Sequence, residues 1–184
     1  MIIGIAGSFG AGKGAVVDYL KKKGFTHYSA SAFITEELTR LGMPVNRDSM
    51  IEVGNRLRKE HGPAYIIETL YDDAKKAGGD AVIESLRAVA EVRKLKELGA
   101  VVIGVDAAPE VRYERAVSRG SEKDKVSFEH WLTQERQESN PDDPTKQDIW
   151  GALKEADHLI ENNGSIGDLH RTVDAFLAEM RHEG

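Results

Sequence analysis

Short apolar runs alternate with amphipathic stretches along this chain. Met1 to Ala6 (broken only by Gly4), Phe25 to Ser29, Ala81 to Ile83, Ala100 to Val105 and His158 to Glu161 read as strands, and Ala100 to Val105 is a continuous apolar run of the kind buried in a parallel sheet. Between them the apolar positions fall at helical spacing. Val16, Val17 and Leu20 define a helix ending in Lys21, Lys22 and Lys23, and a second runs from about Ser31 to Leu41, where Gly42 and Pro44 stop it. A third, capped by Asn46 or Asp48, buries Met50, Ile51, Val53 and Leu57 and ends at His61-Gly62-Pro63. A fourth spans Ala64 to Lys76. Further helices cover Val89 to Leu98, Pro109 to Arg119, Asp148 to Glu155 and Ile166 to Met180. From Gly120 to Asp148 the chain is charged and polar, with a turn at Asn140-Pro141-Asp142-Asp143-Pro144 and a helix capped by Ser127 that carries Phe128, Trp131 and Leu132.

Strands alternating with helices predict an α/β fold with a mainly parallel sheet, whose ligands bind outside the carboxyl ends of the strands. Gly7, Glu84, Asp106 and Asn162 all follow predicted strands and are expected to gather at that edge.

The first strand runs into Gly7-Ser8-Phe9-Gly10-Ala11-Gly12-Lys13-Gly14, followed by Ala15 and the first helix. A G-x-x-x-x-G-K string between strand and helix is the context of a phosphate-binding loop: glycines let the backbone N–H groups curl inward, and the helix start adds its positive dipole end. Lys13 then reaches the β- and γ-phosphates as a point charge. The Ser or Thr that normally follows this lysine to help hold Mg²⁺ is missing, since Gly14 and Ala15 carry no side-chain oxygen. A metal is therefore expected to rest on phosphates, waters and an acidic side chain elsewhere.

Glu84 and Arg87 read as an outer partner of Mg²⁺ or a base, and a clamp on an acceptor's phosphate. Arg112, Arg115 and Arg119 are spaced i, i+3, i+7 and share a helix face. Pointed at a triphosphate, Arg115 and Arg119 would stabilise charge on the transferred phosphoryl group, with Arg112 and Arg136 as weaker candidates. In the helical insertion Arg47, Arg56 and Arg58 could meet an anionic acceptor. Arg56 and Arg58 are two apart, so at most one faces inward, and Arg56 is the one assigned.

Composition narrows the picture. The 184 residues suit a single domain, and a net charge of −6 excludes a general nucleic-acid or membrane binder. No apolar run approaches the ~18 residues of a membrane span. The absence of cysteine removes disulfides and thiolate metal sites and fits a cytoplasmic protein. The six histidines lack metal-ligand spacing, so no protein-held metal site is assigned. Oligomeric state is left open.

With these residues in view, the chain resembles the P-loop kinases of small metabolites: the nucleoside monophosphate kinase superfamily, and within it the dephospho-CoA kinase-like and deoxynucleoside monophosphate kinase-like group. Ile2 to Lys13 is similar to that group's opening strand and loop, and Ile83 to Arg87 to its Asp-Gly-Ile-Arg segment. Arg115 and Arg119 match the arginines that open the lid. Ala156 to Ser165 looks like the closing strand and Asn-x-Gly-Ser turn, which puts Asn162 and Gly164 near the nucleotide base. Gly14 resembles the Gly-Lys-Gly-Thr of adenylate kinases, although Ala15 replaces their threonine. The resemblance implies a three-layer fold around a five-stranded parallel sheet, with a core of 1–31, 80–119 and 149–184, an acceptor-binding helical region of 32–79 and a lid of 120–148. It also implies ATP and Mg²⁺ as cofactors.

Two departures bear on the acceptor. Dephospho-CoA kinases carry an aspartate after the second strand, suited to activating a hydroxyl, where this chain reads Ser29-Ala30-Ser31. Adenylate kinases place an arginine near there, where this chain has Phe33 and Ile34. A monophosphate, with a second pKa of about 6, is already an anionic nucleophile and needs only clamps. The expected acceptor is therefore a nucleoside or deoxynucleoside monophosphate, contacted by Ser29, Arg47, Arg56 and Arg87. The alternatives are a hydroxyl acceptor such as dephospho-CoA, with Glu84 as base, or a nucleotide-binding module without transfer activity.

Overall fold

In the computed structural model, residues 1–118, 127–137, 139 and 142–182 are described, with the side chains of Arg47, Gln134 and Gln137 left aside. The strands are β1 (Ile2–Gly7), β2 (Thr26–Ser29), β3 (Ala81–Leu86), β4 (Val101–Asp106) and β5 (His158–Glu161). They form one five-stranded sheet in the order β2-β3-β1-β4-β5, with every pairing parallel. The expected α/β class and five-stranded parallel sheet are therefore present.

The helices are α1 (Lys13–Lys22), α2 (Ala30–Arg40), α3 (Arg47–His61), α4 (Tyr65–Ala77), α5 (Val89–Glu97), α6 (Pro109–Ser118), α7 (Phe128–Gln137), α8 (Ile149–Glu155) and α9 (Ile166–His182). Strand alternation sorts the core into two layers. Ile3, Ile5, Val82, Ile103, Val105 and Ile160 pack on α1 and α9. Ala6, Ile83, Leu86 and Val102 pack on the other face with α2, α3, α4, α5 and α8. Gly4 interrupts the apolar run of β1 because α5 crosses directly over it: a Cβ there would lie 2.7 Å from Leu95 Cδ1.

Local signals set the helix ends. Asn46 caps α3 in a reciprocal pair, its Oδ1 accepting from Ser49 N at 3.0 Å while Ser49 Oγ accepts from Asn46 N at 3.1 Å. Asp148 caps α8 by accepting from Gly151 N at 3.1 Å. The boundary that departs from expectation is β3, which runs to Leu86 rather than stopping at Ile83. Glu84 therefore lies inside the strand. It pairs with Ile5, the next β1 residue pairs with Leu86, and Ser85 between them is left out of the ladder as a bulge with φ 71°.

Candidate phosphate loop and acceptor pocket

The glycine loop leaves β1 at the carboxyl edge of the sheet and enters α1 at Lys13. Gly12, with φ 98°, makes the turn, and a Cβ on it would run into the Asn162 amide. Lys13 Nζ folds back over the loop, donating to the carbonyl oxygens of Gly7 at 2.9 Å and Ser8 at 2.8 Å. Ser8 Oγ donates to Asp106 at the end of β4. The Ala11 carbonyl accepts from Asn162 Nδ2 at 2.8 Å, and Arg115 Nη1 donates to Asn162 O at 2.9 Å. The turn after β5 and helix α6 thus clamp the middle of the loop. Phe9 is exposed, and Gly14 faces open space. Gly164 lies in the exposed turn ahead of α9, where Ser165 and Asp168 cap the helix.

Arg112 has a different place from its expected one. It is buried, with Nε donating to Ala107 O at 2.9 Å, and Nη1 reaching Phe9 O at 3.3 Å and the Glu135 carboxylate on α7. Its guanidinium carbon lies 5.0 Å from the Trp131 ring centroid and 5.5 Å from that of Trp150. It joins the loop to α7 and α8 rather than facing a ligand. Arg136 is exposed, and Arg119 lies outside the described residues, as does the Arg47 side chain.

A cavity of about 120 Å³ opens beside the end of β3. Its wall includes Ser31 and Ile34 of α2, Met50 and Arg58 of α3, and Ser85 and Arg87. Arg56, the arginine assigned from the sequence, does not line it: its Nη2 lies 3.7 Å from Glu37 of α2, and it faces a separate cleft with Lys59 and Lys146. Arg58 takes the inward position. Ile51, Gly54 and Arg58 are spaced i, i+3, i+7, so the signal was in the helix face. Arg58 is 2% exposed and donates from Nε to Glu91 Oε1 at 2.9 Å, with Nη2 2.8 Å from the same oxygen as an ion pair, while Glu91 Oε2 accepts from Arg87 N at 2.8 Å and Ala88 N at 3.1 Å. This buried pair fixes α3 to the start of α5 and holds the backbone at Arg87.

Glu84 is largely buried and does not line the cavity. Its Oε1 accepts from Ser29 Oγ at 2.7 Å and its Oε2 from Ser85 Oγ at 2.9 Å; His27 Nε2 lies 3.7 Å from Oε1. Ser31 Oγ donates to Ser85 Oγ at 3.2 Å. Nothing in residue type announced the role of Ser85, which depends on the bulge. Among the described residues no three His, Asp or Glu side chains converge as a metal cage. The acidic oxygens next to the loop, those of Asp106, are hard donors of the kind Mg²⁺ accepts through water.

A parallel sheet in this order, with a glycine loop joining its central strand to a helix and the loop lysine folded over it, defines a P-loop kinase fold. The chain belongs to the AAA domain family AAA_18, which matches residues 3–142, and to the UPF0200 family, being 30% identical over 183 residues to a UPF0200 protein of Pyrobaculum aerophilum with 98% of each chain covered. Among solved structures it is similar to TT1252 from Thermus thermophilus, at a TM-score of 0.61 and 24% identity over 97% of both chains. It is also similar to a shikimate kinase from Bacteroides thetaiotaomicron, at a TM-score of 0.56 and 12% identity over 97% of this chain and 98% of that one. These two likenesses are of fold.

Proposed function

We propose that this protein is an ATP-dependent small-molecule kinase, transferring the γ-phosphoryl group to an acceptor held between α2, α3 and the end of β3. The observation that carries this reading is the loop itself, with Lys13 over its carbonyl groups and a separate arginine-lined cavity beside the adjoining strand. Backbone N–H groups of Gly10 to Lys13 would bind the β- and γ-phosphates, and Lys13 would exchange its two carbonyl contacts for phosphate oxygens. Arg115, already anchored on Asn162, keeps the loop in shape. Mg²⁺ would be held by phosphates and waters, with Asp106 as the acidic partner, and supplies charge neutralisation to the transferred group. Residues 32–79 serve as the acceptor-binding region and 120–148 as a lid that excludes water. The packing of α7 on Arg112 beside the loop supports the second assignment.

Two acceptor chemistries are compatible with the cavity. A nucleoside or deoxynucleoside monophosphate is supported by Arg58 and Arg87 in its wall and needs no base. A hydroxyl acceptor is favoured by a specific observation: Glu84 accepts hydrogen bonds from Ser29 and Ser85, so a carboxylate stands beside the end of β2, where the local sequence offers none.

The test is ATP binding by calorimetry followed by ADP release with Mg²⁺ and a panel of monophosphates, dephospho-CoA, shikimate and gluconate. Lys13→Ala should abolish ATP binding. Binding that survives this change places the nucleotide elsewhere, and bound ATP without ADP release from any acceptor identifies a binding module instead.

A further inference from the structure

The cavity beside β3 has two properties that together restrict its occupant. Its volume of about 120 Å³ is well below the several hundred Å³ of sites that enclose drug-sized ligands, so it takes a small molecule or a small reactive end of one. Its polar wall includes two hydroxyls, Ser31 and Ser85, two guanidinium groups, Arg58 and Arg87, and the Gln147 amide. The nearest carboxylate on β3, Glu84, stands behind this wall and reaches it only through hydrogen bonds.

The direction of those bonds is dictated by chemistry. An ionised Glu84 can only accept, so Ser85 must give its one proton to Oε2 at 2.9 Å. Ser85 can then only accept from Ser31, at 3.2 Å. Ser31 has spent its proton in turn, and its remaining lone pair can only accept from something else in the cavity. A molecule with a hydroxyl donor completes the chain, whereas a fully ionised phosphate offers Ser31 no proton. The conformation of Ser85 serves the same end. Its φ of 71° is the one positive value outside glycine among the described residues, and it occurs at the bulge residue that carries the bond from the cavity to Glu84.

We infer that Ser31 and Ser85 relay a proton from the acceptor to Glu84, and that the acceptor is a small alcohol bearing an acid group. This rests on the hydroxyl-acceptor form of the kinase reading above. In the step, the acceptor oxygen forms a bond to the γ-phosphorus and the bond from that phosphorus to the β,γ-bridging oxygen breaks, leaving ADP. The acceptor proton passes to Ser31, the Ser31 proton to Ser85 and the Ser85 proton to Glu84, which ends as the carboxylic acid and later loses the proton to water. Glu84 is the base, and Ser31 is the group that touches the acceptor. Arg58 and Arg87 hold the acid group. The relay supplies from β3 the base that the Ser29-Ala30-Ser31 stretch does not itself contain.

The experiment follows ³¹P NMR of the full chain with ATP and Mg²⁺ against two panels: glycerate, quinate, glycerol 3-phosphate and dephospho-CoA, and the common ribo- and deoxynucleoside monophosphates. A new phosphate ester from a hydroxyl acceptor is expected. With that acceptor, Ser31→Ala and Glu84→Gln should each lower kcat roughly 10²-fold while the KM for ATP stays within about twofold. Ser31→Thr, which keeps the hydroxyl, should recover most of the loss. Ser31 is half-buried in the first turn of α2 and has ordinary helical backbone, so its variants test the relay even if changes at the strained Ser85 disturb folding. Nucleoside diphosphates as the only products would overturn the relay and leave the kinase reading standing, as would a Ser31→Ala enzyme with undiminished kcat. No transfer to either panel, with ATP bound, would overturn the kinase reading and the relay with it.

Discussion

Arg58 and Glu91 form a buried ion pair in which the guanidinium Nη2 lies 2.8 Å from Oε1, although the residues belong to different helices and are 2% and 0% exposed. The second carboxylate oxygen is satisfied by the Arg87 and Ala88 amides, so the pair is closed on the acid side. Removing either partner leaves a charge in the core, at a cost of about 3–5 kcal/mol. Glu91→Ala should therefore lower the urea midpoint severely, and should do so more than Arg40→Ala, which removes only a surface pair with Glu37. Equal midpoints for the two variants would show that the pair does not bind α3 to the core.

Asn162, just past the end of β5, holds the loop through its 2.8 Å bond to Ala11 O. Asn162→Ala should cost about 1 kcal/mol of stability and weaken ATP binding by several-fold, because the loop loses its preorganisation. Gly12→Ala should be worse in both respects, since it adds a Cβ against that same amide at φ 98°. Calorimetric titration of ATP into the three proteins ranks them. An Asn162→Ala protein with wild-type affinity would remove the clamp from the binding mechanism.

Arg112 connects the loop to both tryptophans of the chain. It donates to Phe9 O at 3.3 Å, while Trp131 and Trp150 rings pack on its guanidinium. Occupation of the loop should shift this group and change tryptophan emission, giving a saturable signal with ATP. Trp131→Phe should remove a large part of it. Emission that ignores ATP while calorimetry records binding would mean that α7 does not register the loop.

How far the sequence foretold this arrangement depended on the range of the interaction. The loop was legible because its chemistry is contiguous: strand, glycines, lysine and helix occupy consecutive positions. The carboxyl-edge gathering of Asp106 and Asn162 followed from strand order alone. Arg56 was chosen over Arg58 because spacing showed that they diverge but not which one faces inward. That choice is made by Glu91, a residue 33 positions beyond Arg58. Arg112 was ranked below Arg115 and Arg119 as a ligand contact, and Glu135 and two aromatic rings from distant elements hold it. Glu84 was placed after its strand because the apolar run ends at Ile83. A bulge at Ser85 lets β3 continue past it, and neither residue type foretells that backbone conformation.

Several carboxylates are held below their ordinary range by hydrogen-bond partners: Glu37 by Arg40, Asp143 by Thr145, Glu155 by Arg93, Asp168 by Ser165 and Asp174 by Lys23. A depressed value in the folded state means that the unfolded chain takes up protons first as pH falls. The stabilisation is thus complete above about pH 5 and is lost as pH drops through roughly 4 and below. All five are surface groups, so the decline should be shallow and smaller in high salt. Melting temperature measured from pH 7 to pH 3 should be flat at first and then fall. A protein that gains stability below pH 4 would contradict these assignments.

Gly14 occupies the position after the loop lysine where a hydroxyl would help to hold Mg²⁺, and a Cβ added there meets nothing within 4 Å. Its φ lies outside the positive range that strains other residues, and it is in the first turn of α1, so serine fits without a clash. Gly14→Ser should be neutral or stabilising by up to about 0.5 kcal/mol, from the lower backbone entropy of the unfolded chain. If the metal is held on this side of the loop, the new oxygen replaces one of its waters, and the Mg²⁺ concentration for half-maximal ATP binding should fall several-fold. The measurement is ATP affinity as a function of Mg²⁺ for the two proteins. An unchanged Mg²⁺ requirement in a stable variant would show that the metal approaches from the Asp106 side, beyond the reach of residue 14.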